Sequence, residues 1–232
     1  AENVELIPIG CEGPIRMGPK SKAPGKLMAS LYILQTAKKT GWVLRRISLY
    51  GDYTDFINKV TLDARYTVKL TKFRDSDDYG ADDRANFDDP EHVEDFDLFK
   101  ILSENLKFPV VPVNGLENNT SKVRTDGYVD GTDWRLIKAY IVNARISTKE
   151  GMASGGIIIA DSLMDAIDRS DTDRKKSTLP YAFCSKSIAE AVSKGPKMNY
   201  VCGPVGKDAT GRLRITACRV IPISEEQEAE AI

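Results

Sequence analysis

Arg45 and Arg46, Arg65, Lys69 and Lys72, Arg135 and Lys138, Arg145, Arg212, Arg214 and Arg219 all fall in stretches patterned as β-strands. Aromatic side chains recur beside them: Trp42, Tyr50, Tyr53, Tyr66, Trp134, Tyr140 and Tyr200. Cations neutralise a phosphodiester backbone without reading its sequence. Rings stack on any unpaired base for about 1–3 kcal/mol each. A sheet face that combines the two suits single-stranded DNA or RNA. Its expected members are Arg45, Arg46, Arg65, Lys69, Lys72, Arg135, Lys138, Arg212 and Arg214, with Trp42, Tyr50 and Tyr53 as stacking rings. Tyr66 and Trp134 are expected in the core instead. The plainer alternative is that the rings fill the core and the cations line a wet sheet face or blunt exposed edges.

Other chemistries find little support. His92 is the one histidine and sits in an acidic stretch, so neither a Ser-His-Asp nor a Cys-His arrangement has a placed base. The glycine clusters GMASGG and GPVGKDATG lack the phosphate-loop and dinucleotide-binding spacings and read as hairpin turns. Asp75, Asp77 and Gly80 match three positions of a calcium loop, but Asn86 stands where its bidentate carboxylate belongs. Cys11, Cys184, Cys202 and Cys218 form no CxxC pair and are expected as free buried thiols. No cofactor and no metal is expected, and an enzyme is the least favoured class.

A formal net charge of −1 hides an uneven distribution. Residues 75–97 and the tail from Ser224 hold 15 of the 34 acidic residues, against one Arg. The rest of the chain is therefore strongly basic, at +13. Such a body attracts polyanions, and acidic segments can compete for the same surface. The acidic loop is expected to mimic phosphate on the basic groove. The tail is expected to do the same or to recruit a protein partner.

The elements that must position these residues are mostly strands. Over 60–71, Val60, Leu62, Ala64, Tyr66, Val68 and Leu70 alternate with polar residues, including Arg65 and Lys69. That is the period of a strand with one face on a core and one in water. KLMASLYILQT and WVLRRISLYG, either side of AKKTG, read as a hairpin. Apolar spacing from Phe96 to Leu106 reads as a helix with acids at its start. Residues 134–147 and GIIIADSL read as buried strands, and SKSIAEAVSKG as a helix capped by Ser185 or Ser187 and stopped by Gly195. KMNYVCGPV and RLRITACRVIPIS close as a final hairpin.

The class is β-rich, all-β or α+β, with no βαβ alternation. The order strand, strand, strand, helix, hairpin over 134–223 suits an OB-type barrel with insertions, and a jelly-roll sandwich competes with it. The expected organisation is an extended N-terminal arm over 1–26, one β-rich domain over 27–223 containing the acidic loop 75–97, and an acidic tail over 224–232.

No apolar run approaches the roughly 20 residues that span a bilayer, so no membrane association is expected. Ala1 reads as a residue exposed by loss of an initiator Met, and no signal-peptide pattern follows it, which points to the cytoplasm, or to a host cell's interior for a viral product. The leading expectation is a sequence-tolerant single-stranded nucleic acid-binding protein serving replication or genome handling, with homo-oligomerisation open. A self-assembling viral coat or matrix protein is the alternative, and an uncharacterised enzyme comes third.

Overall fold

In the computed structural model the alternation around Arg65 becomes a strand, β4 (Ala64–Lys72). Ala64, Tyr66, Val68 and Leu70 are buried, while Arg65, Thr67 and Lys69 are exposed. The strand is shorter than its pattern. Asp63 takes a φ of 63°, which turns the chain and leaves Leu62 exposed outside the sheet. The structure describes residues 1–21, 23–39, 41–72, 79–80, 86–118, 133–148, 154–164, 179–192, 197–207 and 210–224.

The chain divides into two compact units, whose described residues fall within 1–107 for the first and within 108–148 and 154–232 for the second. Residues 27–223, expected as one domain, therefore belong to two. In the first unit β1 (Glu2–Arg16), β2 (Leu27–Ala37), β3 (Gly41–Tyr50), β5 (Tyr79–Gly80) and β4 are hydrogen-bonded in that order, and β4 pairs back to β1. The ring closes because β1 serves two neighbours. Its Glu2–Leu6 half pairs with β4, and its Ile7–Arg16 half pairs with β2. Register shifts at Pro8/Gly10 and Glu12/Ile15 let the strand bend between them.

The expected arm over 1–26 is thus corrected over residues 2–16. Val4, Leu6, Ile7 and Ile9 are core residues. Pro8, Gly10, Gly13 and Pro14 sit at the register shifts of β1, where a missing N–H or an unusual φ is tolerated.

After β3 comes a 3₁₀ turn and α1 (Phe56–Lys59), between the third and fourth strands of the ring. β6 (Glu91–His92) adds to β4. The helix expected from Phe96 is α2 (Leu98–Lys100) continued by a wider π turn over Ile101–Asn105. Asp97 caps it, its Oδ1 accepting the Lys100 N–H at 3.0 Å. Leu98, Ile101 and Leu102 are buried beneath it.

The second unit repeats the plan. β8 (Trp134–Ile146), β9 (Ser154–Ala160), β10 (Tyr181–Ser185), β12 (Leu213–Ala217) and β11 (Met198–Lys207) follow one another, and β11 pairs back to β8. α3 (Lys186–Ala191) lies between the third and fourth strands. β8 is again long and shared: 134–140 pair with β11 and 140–146 with β9, with a register shift at Ile141/Asn143. β7 (Val110–Pro112) lies parallel beside β8, and β13 (Arg219–Pro222) extends β12 past Cys218 along β11. The barrel is filled by Ile137, Ala139, Ile141, Ile157, Ile159, Ala182, Val201, Val205 and Ile215. Gly155 lets α3 approach, because a Cβ there would lie 2.8 Å from that of Ala189.

The architecture is β-rich and OB-type, as expected for 134–223, and the same strand order recurs in the first unit. Closure through β1 and β8 rules out the jelly-roll sandwich, which keeps two separate sheets. Cys11, Cys184, Cys202 and Cys218 are buried free thiols. No helix among the described residues is long and apolar enough to cross a membrane.

Candidate functional site

Strand alternation decides which cations share a face. In the first barrel Arg45 and Arg46 are neighbours on β3 and so point to opposite sides of the sheet. Arg45 pairs with Ile33 and Arg46 with Tyr32. Trp42, Arg46 and Tyr50 lie on the outer side of β3, where much of the surface is already taken. Tyr32 and Leu34 are buried, the Tyr32 hydroxyl lies 3.2 Å from the Glu12 carboxylate, and Phe96 meets the Trp42 ring edge-on at 6.2 Å. Tyr50 remains exposed. Tyr53 stacks on Phe56 at 5.6 Å, and Phe56 meets Phe87, which also touches Tyr66. This ring cluster pins the acidic segment to the barrel.

Arg65 and Lys69 lie exposed on the outer side of β4. Their neighbours are acidic: Arg65 is cross-strand from Glu91, and Glu5 faces Thr67 between the two cations. Lys72 ends the same strand. Residues 75–78 and 81–85 of the acidic loop, and the tail from Glu225, to which competing and recruiting roles were assigned, lie outside the described residues. Among the described residues no group of three His, Cys, Asp or Glu side chains is placed to hold a metal ion.

In the second barrel the core residues of β8, β9, β10 and β12 identify the opposite, outer face. Lys138, Tyr140 and Arg145 occupy it on β8, Gly156 and Ile158 on β9, Tyr181 and Phe183 on β10, and Arg214 on β12. Arg145, Gly156 and Phe183 lie in one cross-strand row. The Arg214 guanidinium carbon is 5.1 Å from the Phe183 ring centroid, and the Tyr181 ring meets Phe183 edge-on at 5.2 Å with an interplanar angle of 83°. Phe183 is 36% exposed, a large value for a ring in a five-residue strand. Arg212 is exposed in the turn leading into β12. Arg135 is on the other side of β8 from Lys138, and its Nη1 donates to the Trp134 carbonyl at 3.0 Å. Trp134 is fully buried against Phe108, as expected of a core ring.

The second barrel thus places Arg145 and Arg214 on the outer side of the sheet that carries Phe183, whereas Lys138 lies in the half of β8 paired with β11 and β7. The first divides Arg45, Arg46, Arg65 and Lys69 among different faces. Tyr181 and Phe183 share the second barrel's outer face and were not picked out by sequence patterning. Their signal was the aromatic-x-aromatic spacing in YAFCS, which puts two rings on one side of a strand.

On β11, Tyr200 lies beside Cys202, and Arg219 is cross-strand from Cys202. Burial pushes the Cys202 thiol up to about 12, with Arg219 acting in the opposite direction. Burial, and then Cys202, raises the Tyr200 hydroxyl. Neither group is a nucleophile at neutral pH.

No protein-family model matches the sequence, and no curated protein matches it. Among solved structures the chain is similar to one from a replication protein A heterotrimer bound to ssDNA, with a TM-score of 0.46 and 9% identity over 99% of this chain. It spans 50% of that protein's length. It is also similar to the p204 HINb domain, with a TM-score of 0.32 and 10% identity over 96% of this chain and 97% of the other. A third similarity is to the single-stranded DNA binding protein from Thermus aquaticus, with a TM-score of 0.25 and 9% identity over 97% and 95% of the two chains.

Proposed function

We propose that this chain binds single-stranded nucleic acid with little sequence preference, through the outer face of β9, β10 and β12 in the second barrel. The observation that carries the proposal is the exposed Phe183 ring with the Arg214 guanidinium over it. A ring open to solvent beside cations serves stacking and phosphate neutralisation together. The second and third strands of an OB-type barrel are also the face on which that fold offers room for an extended strand. Arg145, in the same cross-strand row, and the turn residue Arg212 extend the cationic surface beside the ring, and Lys138, farther along β8, is a more distant phosphate contact. In the first barrel Arg65 and Lys69, exposed on the outer side of β4, are candidates for a separate phosphate contact. Replication or genome handling is the setting for such an activity.

Fluorescence anisotropy with a labelled oligothymidylate at two salt concentrations tests this. Affinity is expected to fall steeply with salt and to exceed that for a duplex of equal length. Absence of binding at low salt overturns the proposal. The competing expectation of a self-assembling coat or matrix protein drew on a free N-terminal arm, and residues 2–16 are instead a barrel strand.

A further inference from the structure

Gly156 stands between Arg145 on β8 and Phe183 on β10 in the cross-strand row of the outer face. Its missing side chain is not an empty gap. A Cβ built there would collide with the Tyr181 ring, so that ring lies across the bare backbone of Gly156. Tyr181 also packs on the small apolar cluster of Val142, Ile158 and Ala160, which holds it low against the sheet. Phe183 stands nearly perpendicular to it, at 83°. The two rings therefore form a right-angled corner, with Tyr181 as floor and Phe183 as wall. Arg214 lies against the Phe183 ring, and Arg145 is on the far side of Gly156.

We infer that this corner is a seat for one unpaired nucleobase, stacked flat on Tyr181 with its edge against Phe183. Gly156 is the residue that makes the seat possible. The inference rests on the nucleic-acid reading of this face and deepens it. A flat ring on a sheet surface offers a base a stacking partner of its own kind, and the upright ring limits the seat to a single base. Arg145 and Arg214 flank it where the phosphates of that nucleotide would run, which gives the seat charge complementarity to a nucleotide over a neutral aromatic ligand. A base inside a duplex cannot lie on Tyr181, because both of its faces are already stacked. The corner thus discriminates single from double strands, whereas cations alone hold both. Any side chain at position 156 lifts Tyr181 from the sheet and spoils the floor.

The test uses the full chain and an oligothymidylate carrying one 2-aminopurine, with anisotropy reporting binding and 2-aminopurine emission reporting stacking. The native protein is expected to quench the emission at least twofold at saturation. Tyr181→Leu retains an apolar side chain over the Val142 cluster and removes the ring. It is expected to lose most of the quench and to weaken binding about tenfold while still binding. Gly156→Ala is expected to act in the same direction, and circular dichroism melting identifies the variants that fold. A full quench with folded Tyr181→Leu overturns the seat and leaves the binding function standing. Failure of the native protein to bind any oligonucleotide overturns the function itself.

Discussion

The guanidinium carbon of Arg214 rests 5.1 Å from the centre of the Phe183 ring, on neighbouring strands of the second barrel. Under the proposed function the two residues make separable contributions to binding. Arg214→Ala removes a phosphate contact and should flatten the salt dependence, by about 0.7 in the slope of log K against log salt for a single strand. Phe183→Leu removes an aromatic contact to the base and should cost about 0.5–1.5 kcal/mol with the slope unchanged. Anisotropy titrations over a range of salt concentrations separate the two, and identical slopes for native protein and Arg214→Ala would remove Arg214 from the phosphate track.

Asp161 ties the strand β7 to the end of β9. Its Oδ1 accepts the Val113 N–H at 2.6 Å and its Oδ2 accepts the Asn114 N–H at 2.7 Å. Charged acceptors on backbone donors contribute about 1.5–3 kcal/mol each. Asp161→Ala removes both bonds and should therefore lower stability by about 3 kcal/mol or more in urea unfolding. Asp161→Asn, which keeps one acceptor oxygen, should lose less.

The helix α3 depends on its cap. The Ser185 hydroxyl accepts the Ile188 N–H at 3.3 Å and lies 2.9 Å from the Ser187 hydroxyl. Ser185→Ala is expected to cost about 1 kcal/mol, and Ser185→Gly a smaller amount if the cap position itself is all that matters. Thermal melts of the two variants check the order. Because Ser185 is fully buried, an equal loss in both would assign its role to packing.

High pH should destabilise the second barrel through Cys202. Its thiol ionises near 9.0 when exposed and only near 12 in the folded chain, where burial disfavours the thiolate. The folded state therefore holds its proton more tightly, and the stabilisation is complete below pH 9 and lost as pH rises from 9 toward 12. Tyr200, raised in the same direction, loses its contribution in the same sense. Urea midpoints measured across that range should fall for the native protein and fall less for Cys202→Ala. At neutral pH, a thiol reagent should label none of the four cysteines until the chain is unfolded.

Much of the fold was legible because local patterns carried it. The alternation of Tyr66, Val68 and Leu70 with Arg65, Thr67 and Lys69 specified which side of β4 faces the core, since successive side chains of a strand point to opposite faces. The cap at Ser185 and the hairpin of β11 and β12 were equally local. The first strand was not legible. Pro8, Gly10, Gly13 and Pro14 read as chain breakers, and only the sharing of β1 between two neighbours turns them into bulges.

By itself, then, the sequence determined the β-rich class, the charge division and the core-facing sides of strands such as β4, because these depend on side chains a few positions apart. Tertiary structure alone decided that β1 and β8 close two barrels, and that Arg145, Gly156, Phe183 and Arg214 come together on one sheet. Those residues lie far apart along the chain and meet through the register of backbone hydrogen bonds, which no short window of sequence contains.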